Sequence, residues 1–391
     1  MANGLKMKIY WTAQIIFLVG TAALCYVYVG YPLLVYFVSR VRPREVKKSF
    51  FEPTVTVLIA AYNEEKDISG KLENTLQIDY PKEKLEILVV SDCSSDRTDE
   101  IVKSFAEKGV KLYRQPERRG KTMAQNAAVE RSNGEIILFS DATTMYQPDV
   151  LAQMLPSFAD ETVGCVAGRL IYVDDSSSNV GKGAKSYWSY ETFLKKTESR
   201  ACSLIGASGC LYAVRRAIYR PMYAEACSDF LIAMNIYERG WRTIYEPNAV
   251  CTEETNRRAD NEMRMRVRVI SQTFTDLWRN RRMMNPFRSG FFAVELVSHK
   301  LLRYAVPIFL LLIFISSFAL TFFSEIFEVV FALQIAFYAI ALVGWILERN
   351  GRKLGILAIP FYFVLANLAS LIGFYKFLRG ERYARWEPIR T

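Results

Sequence analysis

Apolar residues in this chain follow two kinds of pattern. Between Pro53 and Asp141 they come as short, near-continuous runs: Val55-Thr56-Val57-Leu58-Ile59-Ala60-Ala61, Leu85 to Ser91, Val110 to Tyr113 and Glu135 to Ser140. Runs of this length, bounded by polar turns, predict strands buried on both faces of a parallel sheet. Helical segments separate them. One follows the polar turn Tyr62-Asn63-Glu64-Glu65 and reaches about Gln77. Another begins at Ser94-Ser95-Asp96, where serines and acids suit a helix N-terminus, and closes at Gly109. A third runs from Gly120 to Glu130. Alternation of this kind predicts a doubly wound α/β domain.

Towards the chain ends the apolar runs lengthen. Thr12 to Ser39 holds no charge; Tyr304 to Phe323, Val329 to Leu347 and Leu354 to Phe377 follow, the last interrupted only by Lys376. Each is near the ~20 residues that cross a ~30 Å hydrocarbon core. The first run far exceeds the ~7–15-residue core of a signal peptide and is expected to remain as an anchor. Basic flanks set an orientation. Only Lys6 and Lys8 precede the first span, whereas Arg40, Arg42, Arg44, Lys47 and Lys48 follow it, so the middle of the chain is expected on the cytoplasmic side. A fourth complete span would carry the basic tail, Arg379 to Arg390, to the opposite side. That conflicts with the same rule, leaving a re-entrant or interfacial last segment, or an exceptional tail, as alternatives.

The composition fits this division. The chain of 391 residues is 51% hydrophobic and 14% aromatic, too apolar for an ordinary soluble enzyme. Its net charge of +10 suits an anionic membrane surface or a phosphorylated substrate; no nucleic-acid-binding motif accompanies it. Seven scattered cysteines without a Cys-x-x-Cys pair predict free thiols. His299 is the one histidine, so a histidine-based triad or histidine-rich metal centre in the middle domain is excluded.

Three acids stand out. Asp92 and Asp141 each end an apolar strand run, and Asp229 precedes Phe230-Leu231-Ile232. Ligands bind at the carboxyl edge of parallel strands, which makes these positions candidates for holding a nucleotide, a metal and a base. The surrounding motifs are Ala-Ala-Tyr-Asn-Glu at 60–64, Asp-x-Ser-Ser-Asp at 92–96, Arg-Gly-Lys at 119–121 with Asn126, Phe-Ser-Asp at 139–141, Cys227-Ser228-Asp229, Gly240-Trp241-Arg242 and Tyr245-Glu246-Pro247. In order and spacing they resemble family 2 glycosyltransferases over roughly residues 50–290. The long apolar runs are similar to those of the hyaluronan, chitin and cellulose synthase-like branch.

The resemblance implies a GT-A-like nucleotide-sugar-binding fold with interfacial amphipathic helices and α-helical transmembrane segments. It divides the chain into an anchor (1–45), a glycosyltransferase domain (46–258), interfacial helices (259–303) and a C-terminal membrane region (304–391). It assigns the donor to Ala60, Tyr62, Glu64, Asp92, Lys121, Asp141 and Arg268. A Mg²⁺ or Mn²⁺ ion would sit on Asp141 and Thr143, and Asp229 would be the catalytic base. Two departures matter: Thr143 stands where the second acid of Asp-x-Asp belongs, and Ser228 where an acid precedes the base.

Met263, Val267, Ile270, Phe274 and Leu277 recur at helical spacing, with arginines off the stripe, and predict a basic amphipathic helix at the membrane surface. Of the synthases' Gln-x-x-Arg-Trp element only Arg268 is kept; Met265 and Val269 replace its ends. The expected partners are a nucleotide-sugar (UDP-sugar) donor, a growing polysaccharide or a lipid-linked acceptor, and membrane lipid. Tyr187, Trp188, Tyr190 and Phe193 could border an acceptor channel, face lipid or pack in the core. An inactive nucleotide-binding membrane regulator is the rival suggested by Thr143 and Ser228. A transporter is disfavoured, since intramembrane charge pairs and internal repeats are lacking.

Overall fold

The computed structural model describes residues 2–173, 179–254 and 259–385. Four parallel strands, β1 (Val55–Ala61), β2 (Leu85–Ser91), β3 (Val110–Arg114) and β4 (Ile136–Asp141), form the first half of an eight-stranded sheet. β5 (Met145–Tyr146), β6 (Val163–Val173), β7 (Leu211–Arg215) and β8 (Arg242–Glu254) complete it in the order β3-β2-β1-β4-β7-β6-β8-β5. β7 runs antiparallel to β4, so the doubly wound pattern holds for the first half and gives way to a mixed half beyond it.

Every residue of β1 is buried, as expected for a strand covered on both faces. Alternate side chains enter separate cores. Leu58 and Ala60 join Phe139, Tyr212 and Phe230 on one side; Val57, Ile59 and Ala61 join Val89, Leu138 and Ala213 on the other. Each fully buried Val, Leu, Ile or Phe contributes roughly 1.5–3 kcal/mol relative to exposure.

The helices are α1 (Ala2–Cys25), α2 (Tyr31–Val41), α3 (Ile68–Leu76), α4 (Thr98–Ser104), α5 (Lys121–Arg131), α6 (Val150–Met154), α7 (Asn179–Ala201), α8 (Ser228–Glu238), α9 (Ala259–Arg279), α10 (Pro286–Ser289), α11 (Phe291–Leu296), α12 (Arg303–Thr321), α13 (Glu325–Arg349) and α14 (Ala358–Leu378). Helical stretches Gly4–Val41, Phe291–Thr321, Glu325–Arg349 and Gly355–Leu378 are long and apolar enough to cross a membrane. They pack together, α12 running antiparallel to both α1 and α13. Tyr10 packs on Phe323, with ring centroids 5.5 Å apart, and Phe17 on Phe327 at 5.1 Å; Phe318 meets Phe331 at 5.3 Å. The outer faces of α1, α12 and α13 present Leu18, Leu311, Ile315 and Leu333 without cover, a continuous apolar surface that suits lipid.

The fourth stretch packs on α13, with Phe363 against Phe337 at 5.8 Å, and on α9 as well. Ala358 clusters with Ala259, Tyr362 bonds to Glu262 at 3.2 Å, Gly373 abuts Ile270, and Phe377 stacks on Phe274 at 5.8 Å. α14 thus runs beside α9 in the same direction along its whole length. The apolar stripe of α9, expected to meet lipid, is instead covered by α14: Val267, Ile270, Phe274 and Leu277 are buried. Because α14 follows α9, the chain beyond it comes back to the sheet. Gln272 Nε2 donates to the Tyr383 carbonyl at 2.8 Å, and the Ala384 carbonyl rests on Gly120. Of the aromatic patch, Phe193 stacks on Tyr36 and the Tyr190 hydroxyl donates to the Tyr28 carbonyl at 3.3 Å, so this half packs on the N-terminal anchor. The side chains of Tyr187 and Trp188 lie outside the described residues.

Candidate active site

β1, β2 and β4 deliver their carboxyl ends to one edge of the sheet, and the loops there are sewn together. Asn63 adopts a left-handed conformation (φ 54°), which asparagine tolerates better than most residues. Its Oδ1 accepts from the Ser95 amide at 2.7 Å, and its own amide donates to Ser94 Oγ at 3.1 Å. The Glu64 amide donates to Thr98 Oγ1 at 2.7 Å and the Glu65 amide to Asp96 Oδ2 at 3.2 Å. Tyr62 lies under the Arg118 guanidinium, 3.8 Å from its ring centroid. Glu64 is buried.

Asp92, immediately after β2, is 1% exposed. Its Oδ1 accepts from Gln115 Nε2 and the Arg119 amide, each at 2.8 Å, and its Oδ2 from the Gly120 amide at 2.8 Å. Burial raises its pKa above the ordinary aspartate value, against the lowering effect of those amides. The carboxylate therefore fastens the 115–120 loop. It neither caps the following helix nor stands open to a base. Gly120 (φ 92°) ends this loop in a conformation that favours glycine, and a Cβ there would strike the Ala384 carbonyl.

The next residue, Lys121, opens α5 and forms an ion pair with Asp141. Burial opposes its charge, yet attraction to Asp141 and Asp229 prevails and holds its pKa above the ordinary lysine value. The Gly120-Lys121 step thus touches Asp92 on one side and Asp141 on the other, with Asp229 in electrostatic reach. All three acids share one edge.

Asp229 enters from α8. Gly209 leaves room for it: a Cβ at Gly209 would come 3.2 Å from Asp229 Oδ2. The Cys227 thiol donates to Asp229 Oδ1 at 3.1 Å, and the Ala207 amide to the Asp229 carbonyl at 2.8 Å. Arg268 of α9 lies in the field of Asp141, Asp229 and the Cys227 thiol; burial draws its pKa below the ordinary value against their pull.

One position reads differently in three dimensions. Ala60 sits inside β1, 2% exposed, paired with Val90 and Asp141 on its two sides. Its backbone is engaged by the neighbouring strands and its methyl lies in the core, so it offers no group to a ligand.

Other residues, not singled out by sequence, shape the site. Asp276 of α9 accepts from the Cys227 amide at 3.0 Å and from the Tyr223 hydroxyl, tying α9 to the start of α8. Burial pushes its pKa up to about 8, with Asp229 adding to the rise. Glu253, at the end of β8, accepts from Thr143 Oγ1 at 3.1 Å. Burial, then Asp141, pushes its pKa up to about 7. A signal was present, since Glu253 closes the apolar run Ala249-Val250-Cys251 just as Asp92 and Asp141 close theirs.

Lys71 underlies the Asp141 turn. It is fully buried, donates to the Thr144 carbonyl at 2.7 Å and lies 3.6 Å from the centroid of the Tyr146 ring. Burial draws its pKa from 10.5 to about 7. Between those values the unfolded chain binds the extra proton, so this residue makes stability rise with pH through that window. Thermal unfolding of purified protein should show wild type gaining on Lys71→Met by several degrees between about pH 6 and about pH 9. Parallel curves would contradict the buried, neutral state.

Could these residues hold a divalent cation? Among the described residues no three His, Cys, Asp or Glu side chains cluster in metal-binding geometry. Asp141, Glu253 and the Thr143 hydroxyl nevertheless form a hard-oxygen donor set of the kind Mg²⁺ and Mn²⁺ accept alongside phosphate oxygens and water. The Lys121 ammonium already places positive charge on Asp141. The chemistry of the donors fits.

Comparison with known proteins follows the same lines. Residues 56–222 match the model of Glycosyl transferase family 2. A probable glycosyltransferase of Bacillus subtilis, YdaM, is 29% identical over 217 residues, covering 52% of this chain and 51% of that protein. The poly-beta-1,6-N-acetyl-D-glucosamine synthase of Staphylococcus aureus is 29% identical over 204 residues, covering 50% and 49%. The chain spans about half the length of the curated relatives it matches. Among solved structures, the mannosyltransferase PcManGT of Pyrobaculum calidifontis, in complex with GDP-Man and Mn²⁺, superposes with a TM-score of 0.73 at 24% identity over 94% of this chain and 100% of that one. The shared fold therefore extends beyond the sheet to nearly the whole molecule.

Proposed function

We propose, from the match of residues 56–222 to the Glycosyl transferase family 2 model, that the chain is a membrane-bound, metal-dependent inverting glycosyltransferase. It transfers a sugar from a nucleotide donor to a growing polysaccharide. The observation that carries this reading is the convergence of Asp92, Asp141 and Asp229 on the Gly120-Lys121 step at the edge of the sheet, with Arg268 in the field of Asp141 and Asp229.

In this reading the loop held by Asp92 presents Arg118, Arg119 and Lys121 to the donor, and Tyr62 and Glu64 line the nucleoside side. Lys121 and Arg268 bind the diphosphate. A divalent cation held by Asp141 would offset the charge that builds on the departing nucleoside diphosphate. Asp229 takes the proton of the acceptor hydroxyl as its oxygen attacks the anomeric carbon. The new C–O bond forms while the bond to the diphosphate breaks, and the leaving group takes the electron pair. One displacement inverts the configuration.

The basic flank of the first span supports a catalytic domain on the cytoplasmic side, and the division at residues 45, 258 and 303 belongs to the same reading. Membrane lipid and a glycan acceptor are its partners; nucleic acid is not. The donor is taken as a UDP-sugar, although the mannosyltransferase of similar fold binds GDP-Man. A second reading, single transfer to a lipid-linked acceptor, is favoured by Met265 and Val269 in place of the Gln-x-x-Arg-Trp ends. Detergent-purified protein incubated with radiolabelled UDP- and GDP-sugars and Mn²⁺ or Mg²⁺ tests both. Long products support polymerisation and one-sugar products the second reading; the absence of sugar transfer or nucleotide release with every donor would refute both.

A further inference from the structure

We propose that Glu253 is the second protein carboxylate of the divalent-cation site, supplying from β8 the charge that Thr143 lacks in the Asp141-Ala142-Thr143 turn. The inference rests on the glycosyltransferase reading and deepens it. Asp141 ends β4, and the chain then turns through Thr143 into β5. That short strand pairs antiparallel with β8, Met145 opposite Thr252 and Tyr146 opposite Cys251. Continuing the register by one residue sets Glu253 opposite Thr144, against the same turn. Thr143, in the turn just outside the strand, donates from Oγ1 to Glu253 Oε1 at 3.1 Å.

A hydroxyl is a neutral and weak ligand, whereas a nucleoside diphosphate brings concentrated negative charge. Cation affinity in hard-oxygen sites follows the number of charged ligands. With Asp141 alone, the protein would offer a single formal charge. Glu253 restores a second, reached across the sheet from a strand more than a hundred residues later in the chain. Its hydrogen bond from Thr143 gives the threonine an orienting role, holding Glu253 towards the turn, as groups around a metal site commonly orient its ligands. Lys121 on Asp141 offsets one of the two negative charges when the cation is away.

The test is direct. Mn²⁺ binding to the full-length, detergent-purified protein is measured by electron paramagnetic resonance of free Mn²⁺, with UDP or GDP present. Glu253→Gln should weaken Mn²⁺ binding by at least about tenfold, with metal-free nucleotide affinity unchanged. Thr143→Ala should weaken it only a few fold. Thr143→Asp in the Glu253→Gln background should recover most of the loss, a gain that a misfolded variant would not show. Wild-type Mn²⁺ affinity in Glu253→Gln, alongside a loss in Asp141→Asn, would overturn the role of Glu253 and leave the glycosyltransferase reading standing. Failure of the wild type to bind Mn²⁺ with either nucleotide would overturn the cation site itself.

Discussion

Asp229→Asn should lower the turnover number for sugar transfer by about 10²–10⁴-fold, the range general-base catalysis supplies, while donor affinity stays within about twofold. The substitution keeps the shape of the side chain. Gly209 still leaves space for it, and the Cys227 thiol can still donate to the retained oxygen. What disappears is the ability to accept the acceptor hydroxyl's proton. Binding of the nucleotide, assigned to Lys121 and Arg268, does not depend on that proton. Donor affinity can be read by calorimetry with UDP or GDP, and turnover by release of nucleoside diphosphate. Unchanged turnover in Asp229→Asn would remove the base from the scheme, and a loss of donor affinity equal to the loss of rate would recast Asp229 as a binding residue.

Arg268→Ala should reduce kcat/KM for the donor by about 10²–10³-fold, the scale for removing a group aimed at developing charge in a water-poor site. Arg268 is held on α9 in the field of Asp141 and Asp229, where a bound diphosphate would give it a stronger partner. Lysine should recover only part of the loss, because a point charge on a flexible stem cannot reproduce the planar guanidinium fork. Full activity in Arg268→Ala would mean that the arginine only neutralises the acids around it.

Both expectations involve elements that sequence places poorly. Asp229 and Asp141 lie far apart in the chain, and their meeting depends on α8 docking where β7 turns the sheet antiparallel. Arg268 reaches them because Asp276, two turns further along α9, is tied to the Cys227 amide. Without that anchor the same helix pattern is equally compatible with a helix lying on lipid.

Local rules determined a good deal. Near-continuous apolar runs of strand length defined β1, β2 and β4, since a strand buried on both faces is largely apolar, and the acids after β2 and at the end of β4 marked the edge where the candidate site lies. Runs of about twenty apolar residues defined the helices of membrane length in the same way. Tertiary structure decided what distance along the chain conceals. It took Ala60 out of the site by pairing both its edges, and turned Asp92 from an open ligand into the fastening of the 115–120 loop. It laid α14 along α9, so that the basic tail returns to Gly120, and it brought Glu253 to Thr143 through a two-residue strand. Periodicity reports which face of an element is apolar; only packing determines which neighbour covers that face and which distant charge it brings along.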